Sequence, residues 1–449
     1  MRNFPFDTAL SIACLGLVLG GTKLVSLGQL SELVDLSPET TVKSPLVAHR
    51  KPELPVAPIL HLKTPAQTRP VVLEDNDGAL DHFYQALWRT ERREPDAITR
   101  IVHYGDSPTT ADLITGDVRR QLQAKFGDAG HGFVLIGKPW AWYQHTGVSV
   151  SGSKWQMSPA SHFQAFDGAF GLGGVSFTGP AGARSLIQFQ DATQTHFEVW
   201  YLKQPDGGRF SVTADGKPAL HVDTAGSKGE PGFAAFEAEH GAGTLELAVE
   251  QGPVRIFGLT AGKTASGVVY DSLGLNGASI TVLSRMFSEA HWTAELRHRN
   301  PRLVVINYGT NEADFAQFVD KQYEPELREA IRRVHAALPE ASVLVMSPMD
   351  RGAHNGSAGI ETMATIPRIV ATQRRVALET GCGFFDTFDA MGGAGTMARW
   401  YTGQPRLVTA DLIHPYPAGG RLIATIFVDE IAKGLNRYKL RQRPHVANK

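Results

Sequence analysis

Cysteine is nearly absent from this chain of 449 residues, which holds only Cys14 and Cys382. Two thiols, the first in a segment that reads as lying outside the fold, exclude a disulfide framework and a cysteine-ligated metal site. An excess of either charge is missing too: 44 Lys and Arg stand against 45 Asp and Glu, a formal net charge of -1. Such balance gives no electrostatic footprint for a phosphate backbone, so nucleic acid is not an expected partner. Long apolar runs are also lacking. The run from Ala9 to Gly21, behind Arg2, falls short of the roughly 20 residues of a spanning helix but suits the hydrophobic region of a secretory signal. No repeat with a period of ~20 to 50 residues is evident, which sets solenoids and propellers aside.

Residues 1–25 are therefore read as an export signal or N-terminal anchor. The rival is a short helix packed on the body, because Asp7 interrupts the start and no clear small-x-small cleavage site follows. A lipoprotein reading of Cys14 is disfavoured, since Ser11 stands where a lipobox wants a leucine-like residue. Residues 26–75 read as a linker, with Pro38, Pro45, Pro52, Pro55, Pro58, Pro65 and Pro70 and little apolar periodicity. The expectation is an exported protein of the periplasm or cell envelope, tethered to the membrane if the signal is kept.

What is plentiful is glycine, at 46, with 26 prolines, which points to many turns. Ala79 to Arg92 has helical spacing, Ala97 to Tyr104 reads as a strand ending in Gly105-Asp106-Ser107, and Thr110 to Phe126 reads as a helix. Further strands are expected at Gly267 to Leu273, Pro301 to Tyr308, Ala341 to Ser347 and Gly383 to Phe388. Helices at about 281–298, 321–337, 362–380 and 418–435 alternate with them. That alternation implies a parallel sheet covered by helices. Between them, His196 to Leu202, Arg209 to Thr213, Gly241 to Val249 and Val254 to Leu259 are short strands separated by turn signals such as Asp206-Gly207-Gly208 and Asp215-Gly216. They predict a β-sandwich with its own core, residues 146–265, inserted into an α/β domain made of 76–145 and 266–438, with 439–449 as a tail.

Ser107 is placed at the end of a strand and the start of a helix, where its own N–H and the helix N-terminal field converge on one point. That suits a nucleophile, although serine before a helix is also a common cap. A serine needs a base, and a histidine base needs an orienting carboxylate. Asp411-Leu412-Ile413-His414-Pro415 offers both at a spacing that lets Asp411 hold one ring nitrogen of His414; a capping Asp and a surface His are the plainer alternative. Gly277, in Leu275-Asn276-Gly277-Ala278-Ser279, and Asn311, in Gly309-Thr310-Asn311-Glu312, each follow a strand and could donate N–H groups to an oxyanion, though glycine and asparagine there are usually turn formers. His103, Asp106, His131 and Glu312 read as residues that order the active loops. Trp140, Trp142 and Tyr143 are either a sugar-stacking platform or core.

Together these four blocks resemble the SGNH (GDSL-type) hydrolase superfamily, whose pattern is Gly-Asp-Ser, a glycine, Gly-x-Asn-Asp or Glu, and Asp-x-x-His in this order. The resemblance covers about residues 97–145 and 266–436. Phe126-Gly127-Asp128-Ala129-Gly130-His131-Gly132-Phe133, Pro139-Trp140, Met391-Gly392-Gly393 and the long insertion look like bacterial peptidoglycan O-acetylesterases; Pro108 and Glu312 depart from relatives. The resemblance implies a flavodoxin-like three-layer α/β domain interrupted by a sandwich like a carbohydrate-binding module. It makes Ser107 the nucleophile, His414 the base, Asp411 its orienter, and Gly277 and Asn311 the oxyanion hole with the Ser107 N–H. The implied substrate is an acetylated glycan, with no metal or organic cofactor in the mechanism. An O-acetyltransferase with the same triad and a non-catalytic glycan-binding protein are the alternatives. Oligomeric state is left open.

Overall fold

Runs of β-branched and aliphatic residues such as Val304-Val305-Ile306 and Val343-Leu344-Val345 are buried on both faces, which is what a central parallel strand requires. In the computed structural model, which describes residues 73–162, 167–356 and 359–442, five such strands form one parallel sheet. The order across it is Gly267–Gly274, Ile98–Gly105, Leu303–Asn307, Ser342–Met346, Gly383–Phe385. By chain rank this is the flavodoxin-like order, with its reversal beside the first strand. Leu73–Glu74, near the end of the stretch read as linker, pair antiparallel at the edge. The readings of residues 1–72 lie outside the described residues.

Side chains alternate across the sheet with the period of two that a strand imposes. Ile101, Leu303, Val305 and Leu344 face helices Asp81–Glu91, Thr115–Phe126 and Pro417–Arg441, while Val102, Tyr104, Val304, Ile306 and Val345 face the opposite core. Helices Glu289–Arg299, Tyr323–Ala337 and Thr365–Glu379 lie on that second side, completing three layers. Several elements differ from the sequence expectation for local reasons. The helix expected at 281–298 breaks at Phe287, whose backbone is extended, and restarts where the Ser288 side chain accepts the His291 N–H. The strand expected to reach Phe388 stops at Phe385 because Asp386 caps a helix, accepting from the Asp389 N–H at 2.9 Å. The final helix runs on to Arg441, into the expected tail.

Between the first and second parallel strands the chain builds two antiparallel sheets. One contains Lys217–Asp223, Arg209–Ala214, Thr244–Gln251, Arg184–Phe189 and Val148–Ser153; the other contains Glu230–Glu237, His196–Lys203, Val254–Gly262, Val175–Gly179 and Gln156–Pro159. Strict alternation, with Ser185, Ile187 and Phe189 buried and their neighbours exposed, turns one face of the first sheet inward. There Phe189 meets Phe197 with ring centroids 5.7 Å apart and Phe210 meets Tyr201 at 5.6 Å. The core is not private to these sheets. It is continuous with the second side of the parallel sheet, joining Phe177, Val199, Trp200 and Ile256 to Val102, Val304 and Val345.

Specific ties reinforce that continuity. Gly132–Val134, a strand from before the insertion, pairs with Val254–Gly262. Asp271, on the second parallel strand, accepts the Phe133 N–H at 2.8 Å and holds Arg299 in a buried two-pronged pair at 2.6 and 2.8 Å. His298, next to it, stacks on Phe233 at 3.6 Å and bonds Glu198 at 2.9 Å.

Candidate active site

Parallel register sets the position of the site. Gly105 is level with Gly274 on one side and Asn307 on the other, so the three following loops leave the sheet at one edge, at the switch in strand order where open α/β sheets bind ligands. The Leu275 N–H donates to the Gly105 carbonyl at 3.0 Å, starting the second loop against the first. Only glycine fits at 105: a Cβ would lie 2.3 Å from the Thr109 hydroxyl. Ser107 then opens a one-turn helix, Ser107–Thr110, so its N–H has no acceptor within that helix.

The Ser107 Oγ lies 2.7 Å from His414 Nε2, and His414 Nδ1 lies 2.7 Å from Asp411 Oδ2. Facing a carboxylate, Nδ1 carries the proton, which leaves the Nε2 lone pair to accept from the serine hydroxyl. The loop that achieves this is wound tightly. Asp411 Oδ1 accepts the N–H groups of Ile413 and His414 at 2.9 and 3.1 Å and the Thr409 hydroxyl at 2.5 Å. Leu412 is held at φ +60, a left-handed conformation that costs a branched side chain of order 1–3 kcal/mol. Its side chain is buried, which anchors the turn. Burial pushes the Asp411 carboxyl up, but the Thr409 hydroxyl, the His414 ring and the two backbone donors outweigh it and hold it down at about 2. Asp411 is therefore charged at neutral pH. The chain of bonds can take the proton from Oγ as it attacks and stabilise the imidazolium that results.

The two expected oxyanion donors are tied to one another. Asn311 Nδ2 donates one proton to the Ala278 carbonyl at 2.8 Å, which leaves the second N–H of the amide available. Gly277 has φ +69 and open space where a side chain would stand, so a ligand can approach its N–H closely. Glu312 completes the clamp from a buried position, accepting the Ile280 N–H at 2.8 Å and the Gly309 N–H at 3.1 Å. Burial, with the nearby charge of Asp106 adding to it, pushes the Glu312 carboxyl up to about 7 despite those donors. Burial likewise raises Asp106 to about 6.

Sequence reasoning passed over two further residues. Arg351 donates to the Thr310 carbonyl at 2.6 Å and pairs with Asp314 at 2.8 Å, bracing the Asn311 loop; no local pattern marks it. Thr409, two residues before Asp411, was signalled only by its hydroxyl. Of the aromatic candidates, Trp140 and Tyr143 are core, whereas Trp142 is 48% exposed and its indole N–H donates to Asn276 Oδ1 at 3.2 Å. His103 is buried against the Tyr270 hydroxyl at 2.6 Å, and His131 bonds Asp191 at 3.1 Å, away from the Ser107–His414–Asp411 line of bonds.

Residues 248–422 match the model of the GDSL-like lipase/acylhydrolase family. No curated protein sequence matches the chain. Among solved structures, a peptidoglycan O-acetylesterase superposes with a TM-score of 0.67 at 23% identity, over 79% of this chain and 96% of that one, which is a likeness of fold. A Bacillus subtilis protein aligns at TM-score 0.33 and 14% identity, over 64% of this chain and 90% of that one. An acetyl xylan esterase gives TM-score 0.28 and 19% identity, over 36% and 80%. The last two scores are too low for a shared overall fold to follow. The stretch that matches the GDSL-like family model, residues 248–422, contains Gly277, Asn311, Asp411 and His414, and the fold resembles that of a solved O-acetylesterase.

Proposed function

We propose that the protein removes O-acetyl groups from a carbohydrate polymer, with Ser107, His414 and Asp411 as its triad. The observation that carries this is the unbroken line from Ser107 Oγ through His414 to Asp411, 2.7 Å at each step, at the carboxyl edge of the sheet. Ser107 Oγ attacks the acetyl carbonyl as His414 takes its proton. The N–H groups of Ser107 and Gly277 and the free amide proton of Asn311 receive the developing oxyanion. His414 then returns the proton to the departing sugar oxygen, leaving an acetyl-enzyme. Water, deprotonated by His414, releases acetate and restores the serine. The His414 side chain is 32% exposed, which gives water a route to the acyl-enzyme.

Peptidoglycan is the substrate we favour, on the fold-level likeness to a peptidoglycan O-acetylesterase, whose length is spanned almost entirely. An exported enzyme meeting an acetylated envelope polymer, with the antiparallel sheets contributing to glycan binding, belongs to the same proposal. The test incubates purified protein with O-acetylated peptidoglycan, with and without an unacetylated sugar acceptor, and measures free acetate against transferred acetyl. Acetate release that is lost in Ser107→Ala is the expected result; transfer in excess of release would replace hydrolysis with transferase chemistry.

A further inference from the structure

Large hydrophobic side chains are exposed at five of the described positions, Trp142, Leu186, Phe315, Tyr416 and Leu440. The three aromatic ones are not scattered. Phe315 is four residues beyond Asn311, Tyr416 is two beyond His414, and Trp142 bonds the residue that precedes Gly277. Every loop of the site other than that of Ser107 itself is thus flanked by an aromatic ring left open to solvent. None of these rings is needed by the core, and exposed aromatics gathered around a site mark ligand contact.

Trp142 is the best defined of them. Its neighbours fix the loop beneath it: Trp140 and Tyr143 are buried, the Tyr143 N–H donates to the Trp140 carbonyl at 3.0 Å, and the Tyr143 hydroxyl accepts the Leu135 N–H at 3.0 Å. The indole N–H is already engaged by Asn276 at 3.2 Å. With its one polar edge occupied, the surface that Trp142 offers a ligand is apolar, and its position is pinned against the oxyanion loop. The ligand chemistry matching an apolar ring beside an ester-cleaving centre is the C–H face of a pyranose.

We propose, resting on the glycan-esterase reading above, that Trp142 is the stacking platform for a pyranose ring of the polymer and so sets its preference for glycan over simple esters. The probe is the β-1,4-linked tetramer of N-acetylglucosamine, titrated calorimetrically into the full chain. Trp142→Ala is expected to weaken binding by about tenfold or more, the worth of one good aromatic contact, and Trp142→Phe to stay within about threefold of wild type. The phenylalanine ring keeps the stack but loses the bond to Asn276, so a Phe variant as weak as the Ala variant would reduce Trp142 to a residue that merely positions Asn276. Equal binding by wild type and Trp142→Ala, or no binding by wild type at millimolar tetramer, would also overturn the platform. Tetramer binding that depends on Trp142 in a protein releasing no acetate from O-acetylated peptidoglycan would keep the platform and remove the esterase proposal.

Discussion

The parallel sheet and the antiparallel pair of sheets are built from the same kind of side chain, yet only the parallel sheet gathers the candidate site residues at one edge. In the parallel sheet, strands Ile98–Gly105, Gly267–Gly274 and Leu303–Asn307 end level, so the polar residues that follow each strand converge. In the antiparallel sheets each strand returns on its neighbour, as at Asp215-Gly216, both with positive φ, and its polar residues are spent facing outward. Direction of travel, more than composition, decides where functional groups meet. The two regions are nonetheless joined through a common core, so the difference in chemistry is not a difference in independence.

The largest expected effect tests that joint core. Excising residues 148–264 with a short linker strips Gly132–Val134 of its partner strand and uncovers Phe133, which packs on Trp200, and His298, which stacks on Phe233. We expect loss of the cooperative thermal transition and of all aryl-acetate hydrolysis, because the exposed apolar area exceeds what a small marginal fold tolerates. This departs from the sequence expectation that the insert has its own core. A truncated protein that melts cooperatively and still cleaves aryl acetate would show the regions to be separable.

Next come the proposed triad residues. Ser107→Ala and His414→Ala are each expected to lower kcat by about 10⁴ or more, and the double variant to be no worse than either, because a relay fails as a unit. A double variant far below both singles would mean two independent catalytic groups. Asp411→Asn is expected to fall no further than these, since the amide still touches the ring but cannot stabilise the imidazolium. Asn311→Ala follows, with kcat expected to drop about 10² to 10³ and KM little changed, the signature of a donor acting on the transition state. A raised KM at unchanged kcat would make Asn311 a ground-state binding residue instead.

How far the sequence reached follows the same division between local and distant causes. Strand positions were legible because burial on two faces writes a continuous apolar run, and the Asp411-x-x-His414 pairing because three residues of chain suffice to form it. Trp140 and Trp142 look alike in sequence, two positions apart; only tertiary packing buries one and exposes the other. Leu412 gave no sign of a left-handed backbone, since leucine does not favour one and the strain is imposed by the donors gathered on Asp411. The shared core of the insert was hidden for a similar reason: alternation shows that a strand has an inner face, not whose core that face joins.

The smallest effect expected belongs to Glu312, which sequence alone could cast only as an ordering residue. Its bond to the Ile280 N–H spans 32 positions, beyond any local pattern. Glu312→Gln keeps one acceptor oxygen and turns an N–H toward the other donor. Leaving one backbone N–H unsatisfied, at about 1–3 kcal/mol, loosens the clamp between the Gly277 and Asn311 loops, so kcat is expected to fall about tenfold with KM little affected. The pH dependence identifies the cause. Burial raises the folded carboxyl from its ordinary 4.5 to about 7, so the neutral acid is favoured in the fold. The resulting stability is fully present below 4.5 and is lost as pH rises through about 7. Glutamine does not titrate, so calorimetric melts from pH 4 to pH 8 should show a shallower decline in the variant than in wild type. Some decline remains, because Asp106, raised to about 6, acts in the same sense and stays. Stability curves that run parallel across this range would mean that Glu312 does not titrate in the fold, whatever its effect on kcat.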